Sequence, residues 1–205
     1  MKSMDKFIKT IAKLRGTNGC PWDKEQTHKT LKRYLIEEAY EAIEAIDRNN
    51  PKAIMEELGD VLLQVVLHAQ IASENKHFSL KDIVNCINKK MITRHPHVFS
   101  NVKVKNTEEV LVNWEKLKNK EDGIPKSLPA LMKAFKVSKN VSKANWVIVE
   151  KKLIEFKDSA KSKNKSRQLK KLGDLLFTIV CMARLHRLDP EESLNNSIKR
   201  VVKSI

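Results

Sequence analysis

Residues 37–47 have the sequence EEAYEAIEAID, and residues 56–63 have the sequence EELGDVLL. Acids three or four positions apart share one face of a helix, so Glu38 lies beside Glu41 and Glu57 beside Asp60. Only a short break at residues 49–51 separates the two stretches, and helices joined by so short a turn pack antiparallel. The pattern predicts a helical hairpin whose acidic faces meet, with four carboxylates around one point.

Such a cluster is unfavourable unless a cation is present. Two carboxylates about 5 Å apart repel by roughly 3 kcal/mol at an effective dielectric near 20, and four repel by several times that. A hard divalent ion removes this repulsion, and magnesium also keeps coordination positions open for substrate phosphates. The spacing therefore predicts a magnesium site, with Mn²⁺ as a substitute.

The competing interpretation is a solvated acidic face. Two positions argue against it. Glu38 falls within an apolar helical stripe, and Asp60 opens the apolar run 61–67. A buried carboxylate needs a partner, and no Lys or Arg lies one turn from Asp60.

Helical spacing extends along the chain, which has only five Gly and six Pro. An all-α fold follows. Thr27 and Ser79 are predicted N-caps, and Pro51 is predicted in a first helical turn. The predicted helices are 4–14, 27–48, 51–74, 79–94, 107–120, 128–140, 146–160, 167–187 and 190–204.

The chain contains a weak internal repeat. Leu58-Gly59-Asp60-Val61-Leu62-Leu63 recurs as Leu172-Gly173-Asp174-Leu175-Leu176-Phe177. The segment Glu121-Asp122-Gly123-Ile124-Pro125 is the predicted boundary. We therefore expect two related helical bundles, a first repeat at 1–122 and a second at 126–205. Apolar faces on 27–48 and 51–74 exceed what one layer covers, which predicts a homodimer.

Charge, hydropathy and cysteine content argue against a nucleic-acid-binding, membrane-spanning, zinc-binding or disulfide-bonded protein. The net charge is +15, and most of the surplus falls after residue 100. Since 32 of the 40 basic residues are Lys, a solvated surface is favoured over specific nucleic-acid recognition. A helical protein that binds polyanions through its basic second half is the less favoured interpretation. No apolar run would span a bilayer, and Cys20, Cys86 and Cys181 show no zinc or disulfide spacing. A cytoplasmic protein is expected.

The ordered motifs resemble the MazG family of all-α nucleoside triphosphate pyrophosphohydrolases. The resemblance includes the two acidic stretches and covers nearly the whole chain. Its other motifs are Gly19-Cys20-Pro21-Trp22-Asp23, Arg94-His95-Pro96-His97-Val98-Phe99 and Asn113-Trp114-Glu115-x-x-Lys118.

The resemblance implies hydrolysis of a nucleoside triphosphate to the monophosphate and pyrophosphate. By the same resemblance, Lys90 and Arg94 face the phosphates, and either Glu37 or Glu41 takes the proton of the attacking water. The residues that match the magnesium ligands are Glu38, Glu41, Glu57 and Asp60. The alternative is a degenerate relative that binds nucleotides or a protein partner without efficient turnover.

Two tryptophans and two polar residues keep alternative roles. Trp22 and Trp114 either pack in the core or stack on a nucleobase of the substrate. Gln64 and His68 continue the polar stripe of Asp60, as supports for the site or as core residues.

The second repeat departs from the metal motif. Lys171 replaces the Glu of the Glu-x-x-Asp pair, and Ser204 stands at the position of Arg94. A lysine among the ligands repels a divalent ion and partly neutralises Asp158 and Asp174, so this repeat is predicted to bind no magnesium. Its remnants of the motif are Glu155, Asp158, Asp174 and Arg200.

Overall fold

The computed structural model describes residues 2–117, 123–141 and 144–204, and these residues contain helices and no strand. The all-α prediction is confirmed. Lys118 and part of the predicted boundary 121–125 lie outside the described residues. The chain divides into two compact units, Met1–Lys118 and Asn119–Ile205. That the units are repeats with limits at 122 and 126 stays a prediction.

The first unit is built around one antiparallel helix pair, α3 and α4, which form its most extensive helix–helix interface. The remaining helices precede or follow this pair along the chain. The helices of the first unit are α1 (Lys2–Arg15), α2 (Pro21–Glu25), α3 (Lys32–Asp47), α4 (Pro51–Glu74), α5 (Leu80–Arg94), α6 (Pro96–Phe99) and α7 (Thr107–Leu117).

Local sequence explains where α4 and α5 begin. Asn50 caps α4, because its side-chain oxygen accepts from the backbone N–H of Lys52 at 3.1 Å and of Ala53 at 3.3 Å. Pro51 follows as the first helical residue, where its missing N–H costs nothing. Ser79 and Asp82 form a reciprocal capping box at the start of α5. The predictions for Ser79 and Pro51 are confirmed.

The core of the first unit joins α1, the start of α3 and the second half of α4. Its fully buried members include Ile11 on α1, Leu31 before α3, and Val66 and Leu67 on α4. Leu31 has no exposed surface at all. The core therefore holds α3 and α4 together at one end of the hairpin, and the acidic residues lie toward the other end.

Arg15 fastens the loop around α2 to the end of α4. Its Nη2 lies 2.8 Å from Glu74 Oε2, and its Nη1 donates to the carbonyl oxygens of Asp23 and Gln26. Only 6% of the Arg15 side chain is exposed. One guanidinium thus satisfies the C-terminal turn of α2 and fixes this loop against the hairpin.

The second unit also contains an antiparallel pair, α9 and α10, which form its most extensive interface. Asn145, Asn164 and Asp189 cap its last three helices through their side chains. Its buried side chains include Leu175, Val180 and Met182. The helices are α8 (Ala130–Val137), a 3₁₀ turn (Ser138–Asn140), α9 (Trp146–Ala160), α10 (Lys165–Leu185) and α11 (Pro190–Val202).

Several predicted helix limits were wrong. Thr27 is not an N-cap, because its hydroxyl and backbone exchange hydrogen bonds with Thr30 in a turn, and the helix begins five residues later at Lys32. The short helices α2 and α6 were not predicted. Each begins at a proline, Pro21 or Pro96, and a proline suits the first turn of a helix as well as a loop.

Within the described ranges, none of the helices has the length and apolar character needed to cross a membrane.

Candidate metal and substrate site

The antiparallel packing of α3 and α4 brings acids from both helices together. Glu38, Glu41 and Glu57 each place one carboxylate oxygen within 4.8 Å of the other two. Glu41 on α3 therefore faces Glu57 on α4 across the hairpin. Three of the four predicted ligands lie close enough to share one ion.

Asp60 belongs to the same electrostatic field, although its oxygens are outside that group. The pKa of Glu38 is raised, first by burial and then by repulsion from Asp60 and Glu41. The pKa of Glu57 is also raised, first by burial and then by repulsion from Glu41 and Asp60. The four acids thus destabilise one another's charge in the absence of a cation.

The donor set suits a hard divalent cation. All candidate ligand atoms are carboxylate oxygens, the type that magnesium prefers. Among the described residues, no salt bridge joins Glu38, Glu41, Glu57 or Asp60 to a lysine or arginine. The cluster therefore has the chemistry of a divalent-cation site, and no lysine or arginine of the described ranges neutralises it.

The expected burial of these acids was partly wrong. Glu38 and Glu57 are half-buried, whereas Asp60 is exposed. Asp60 does precede an apolar run, but it lies on the same face of α4 as Glu57, and this face becomes fully buried only at Gln64, one turn further on.

Two polar side chains follow the acids down α4 toward the core. Gln64 is 4% exposed and its Oε1 has no hydrogen-bond partner among the described residues. His68, one turn further on, has an Nε2 that is likewise unpartnered within the described ranges, and its Nδ1 lies 2.7 Å from Nδ1 of His28. Burial and then His28 lower the pKa of His68, so its neutral form is favoured.

The predicted phosphate-binding residues lie on α5. Lys90 is exposed, and Arg94 is half-buried with its guanidinium 5.8 Å from the centre of the Trp114 ring. His95 packs edge-on against the same ring at 4.8 Å. Trp114 therefore joins α7 to the end of α5 as well as flanking Arg94.

Trp22 lies on α2 and is 48% exposed, so it is not a core residue. Its ring meets Tyr34 of α3 edge to face at 5.7 Å. Tyr34 precedes Glu38 by one helical turn and thus shares its face of α3. The sequence analysis missed Tyr34, although its spacing from Glu38 was a usable signal.

In the second unit, lysines occupy the place between the acidic remnants. Lys171 Nζ lies 2.7 Å and Lys152 Nζ 3.1 Å from Oε2 of Glu155, and Lys152 also lies 3.8 Å from Asp174. Hydrogen bonds from the two lysines lower the pKa of Glu155 to about 2. The prediction that Lys171 neutralises Asp158 and Asp174 was wrong in its partners, because Lys171 pairs with Glu155.

The other remnants have local partners. Asp158 pairs with Lys161 at 2.9 Å, and Arg200 donates to the hydroxyl of Ser197 at 2.7 Å. Both contacts lie within one helical turn, so neither residue is drawn toward Glu155. Of the four remnants, only Glu155 and Asp174 share a partner, the ammonium of Lys152.

The fold and the first-unit cluster define an all-α protein with a carboxylate site of the kind that hard divalent cations bind. Comparison with protein families adds a specific assignment. Residues 26–99 match the MazG nucleotide pyrophosphohydrolase domain. This range contains all four clustered acids and the helices that carry them.

Curated relatives match over most of the chain. The nucleoside triphosphate pyrophosphohydrolase/pyrophosphatase MazG of Thermotoga maritima is 40% identical over 97% of this chain and 82% of its own. The nucleoside triphosphate pyrophosphohydrolase of Escherichia coli K12 is 38% identical over 90% of this chain and 78% of its own. YabN of Bacillus subtilis, an uncharacterized protein, is 44% identical over 92% of this chain, which spans only 42% of YabN.

The chain therefore belongs to the MazG family of nucleotide pyrophosphohydrolases, and it is an enzyme of the hydrolase class. The family is one of metal-dependent hydrolases.

Proposed function

We propose that this chain hydrolyses nucleoside triphosphates to nucleoside monophosphates and pyrophosphate, with Mg²⁺ held in the first unit. The observation that carries the proposal is the convergence of Glu38, Glu41 and Glu57 oxygens within 4.8 Å. These acids lie inside the range that matches the family domain. Mn²⁺ also favours oxygen ligands and is expected to substitute.

Glu38, Glu41, Glu57 and Asp60 would hold the ion. When bound, it supplies charge neutralisation at the phosphate oxygens and orientation of the attacking water. The carboxylates themselves fix its position, since α3 and α4 are joined by a tight turn and a common core. Positioning and charge are the main contributions to cleavage of a phosphoric anhydride.

Glu37 is the better candidate for the base that accepts the water's proton. Glu41 contributes an oxygen to the cluster, so it is proposed to be engaged with the ion. Glu37 is exposed beside Glu38 and belongs to no such group. Glu37→Gln should lower kcat strongly and leave KM little changed, with Glu44→Gln on the same helix as the control.

Lys90 and Arg94 are proposed to bind the phosphates, because a triphosphate carries more negative charge than one magnesium ion neutralises. The contact of Arg94 with Trp114 supports this role, since stacking orients a guanidinium and reduces its freedom. Trp22 and Trp114 are proposed to contact the nucleobase. The exposure of Trp22 leaves a ring face available for stacking.

The first unit is proposed to form a homodimer through the outer face of its hairpin. This face exposes large apolar side chains that a single unit leaves in water, and such patches mark interfaces. The side chains, each at least 36% exposed, are Ile36, Tyr40, Ile43, Ile46, Met55, Leu58 and Leu62.

The second unit is proposed to bind no magnesium, because Lys152 and Lys171 already neutralise Glu155. Catalysis is then assigned to the first unit. The alternative is that the whole chain is a degenerate relative that binds nucleotides or a protein partner without efficient turnover. The three free cysteines are consistent with a cytoplasmic location.

Pyrophosphate release from a panel of nucleoside triphosphates, with and without Mg²⁺, tests the proposal. We expect release that requires the metal and falls at least about 100-fold in Asp60→Ala, since even outer-shell changes at metal sites cost about 10- to 100-fold. Asp174→Ala, the matching Leu-Gly-Asp position of the second unit, is the control and should retain activity. Nucleotide binding without release in the wild type would establish the binding protein instead.

A further inference from the structure

A cavity of about 510 Å³ opens beside the first turn of α3, and it contains cationic side chains that the proposed reaction does not use. Its walls include the rings of Trp22 and Tyr34 together with Lys29, Lys32 and Arg33. None of the residues that line it is acidic. We propose that this cavity binds a phosphate group and forms an anion subsite next to the carboxylate cluster.

The charge balance of the cavity carries the proposal. Within the described part of the chain, Lys29 and Lys32 have no salt bridge, and both are exposed. Arg33 donates to the hydroxyl of Tyr34 and lies 4.5 Å from the centre of its ring, so the guanidinium is oriented while other N–H donors stay available. Three positive charges around one cavity attract an anion, and a phosphate has enough oxygen acceptors to bond to more than one of them.

The floor of the cavity is already ordered. Gln26 is 9% exposed; its amide nitrogen donates to the carbonyl of Trp22 at 2.9 Å and its oxygen accepts from Thr30 at 2.8 Å. Arg15 also donates hydrogen bonds to the carbonyl oxygens of Asp23 and Gln26. Because these residues are already held in place, phosphate binding requires little further ordering of the loop between α2 and α3.

The position of the cavity connects it to the proposed reaction, on which this part of the inference rests. Tyr34 precedes Glu38 by four residues, which is about 6 Å along the axis of α3, and both lie on one face. A chain of several phosphates is long enough for one end to lie in the cavity while the other end reaches the carboxylates.

Two sources supply such a phosphate, the chain of the intact nucleotide and the free pyrophosphate that hydrolysis releases. Isothermal titration of the full chain in EDTA distinguishes them, because no turnover occurs. The probes are pyrophosphate, an α,β-methylene nucleoside triphosphate and an uncharged nucleoside. The test variant is Lys29→Gln/Lys32→Gln, and Lys6→Gln/Lys9→Gln on α1 removes the same charge elsewhere.

We expect the wild type and the α1 variant to bind the phosphate probes equally, and Lys29→Gln/Lys32→Gln to bind at least about tenfold more weakly, a loss of roughly 1.4 kcal/mol. If the double variant loses affinity for the analogue alone, the subsite binds a phosphate of the intact nucleotide. If it loses affinity for pyrophosphate as well, the subsite also binds the released product. Equal affinity in both double variants, or no binding to the wild type, overturns the subsite. An inactive wild type that binds pyrophosphate through these lysines would instead refute only the hydrolytic function.

Discussion

The ammonium of Lys171 lies 2.7 Å from Oε2 of Glu155. Lys171 directly precedes the Leu-Gly-Asp of the second unit, as Glu57 precedes the Leu-Gly-Asp of the first, where it lies near Glu38 and Glu41. The two units thus differ in how the carboxylates between their paired helices are neutralised. In the second unit the ammonium group of a lysine side chain neutralises Glu155. In the first unit no such partner is found among the described residues, and the charge of the acids favours a cation from solution.

The ion pairs of Glu155 predict a pH dependence for the second unit. The pKa of Glu155 falls from 4.5 to about 2 on folding. Because the folded value is the lower one, the stabilisation is fully present above pH 4.5 and is lost as the pH falls toward 2. Thermal unfolding between pH 6 and 3 should show this loss, and Lys171→Gln should reduce it. An identical pH profile in the variant would contradict the assignment.

The repulsion among the first-unit acids predicts that one neutral substitution stabilises the metal-free protein. Glu57→Gln keeps the size of the side chain and removes one charge that Glu41 and Asp60 oppose. Thermal unfolding in EDTA should give a higher Tm than the wild type, and added Mg²⁺ should raise the variant's Tm less. Glu25→Gln, on an exposed residue of α2, is the control. A lower Tm in EDTA would mean that Glu57 is engaged in a contact that stabilises the fold.

The burial of Leu31 predicts a large loss of stability on truncation. Leu31 has no exposed surface and joins α1 to α4 in the core. Leu31→Ala should cost about 2–5 kcal/mol of unfolding free energy, measured by urea denaturation. Leu35, one turn later and 38% exposed, provides the matched control, and Leu35→Ala should cost less. Equal losses would place the core elsewhere.

The cap of α4 predicts a smaller effect. Asn50→Ala removes the acceptor of the Lys52 and Ala53 backbone N–H groups, and should cost about 1 kcal/mol. Asn50→Asp retains an acceptor and should restore most of the stability. Failure of the aspartate to do so would show that the cap is not the source of the loss.

Much of the hairpin was predictable because its signals are local. Asn50-Pro51 fixed the start of α4, and the spacing of Glu38, Glu41 and Glu57 was enough to predict that they converge. Local signals failed at Thr27, where a turn with Thr30 competes with helix capping. They also failed at Asp60, because how far burial extends along its face of α4 depends on the packing of other helices and not on local sequence.

The second unit shows a different limit of prediction from sequence. The replacement of a ligand by Lys171 was visible, but its partner was not, since Lys152 and Glu155 lie on α9 and the pairing depends on how α9 and α10 pack. The cavity beside α3 was missed for a similar reason. Trp22 precedes α3 by a loop, and only the contacts of Arg15 and Gln26 bring its ring to Tyr34.

Isothermal titration of Mg²⁺ into the full chain tests the central claim most directly. We predict that the wild type binds Mg²⁺, that Glu57→Gln abolishes or strongly weakens this binding, and that Glu155→Gln leaves it unchanged. Binding that survives Glu57→Gln and is lost in Glu155→Gln would place the ion in the second unit and contradict the account.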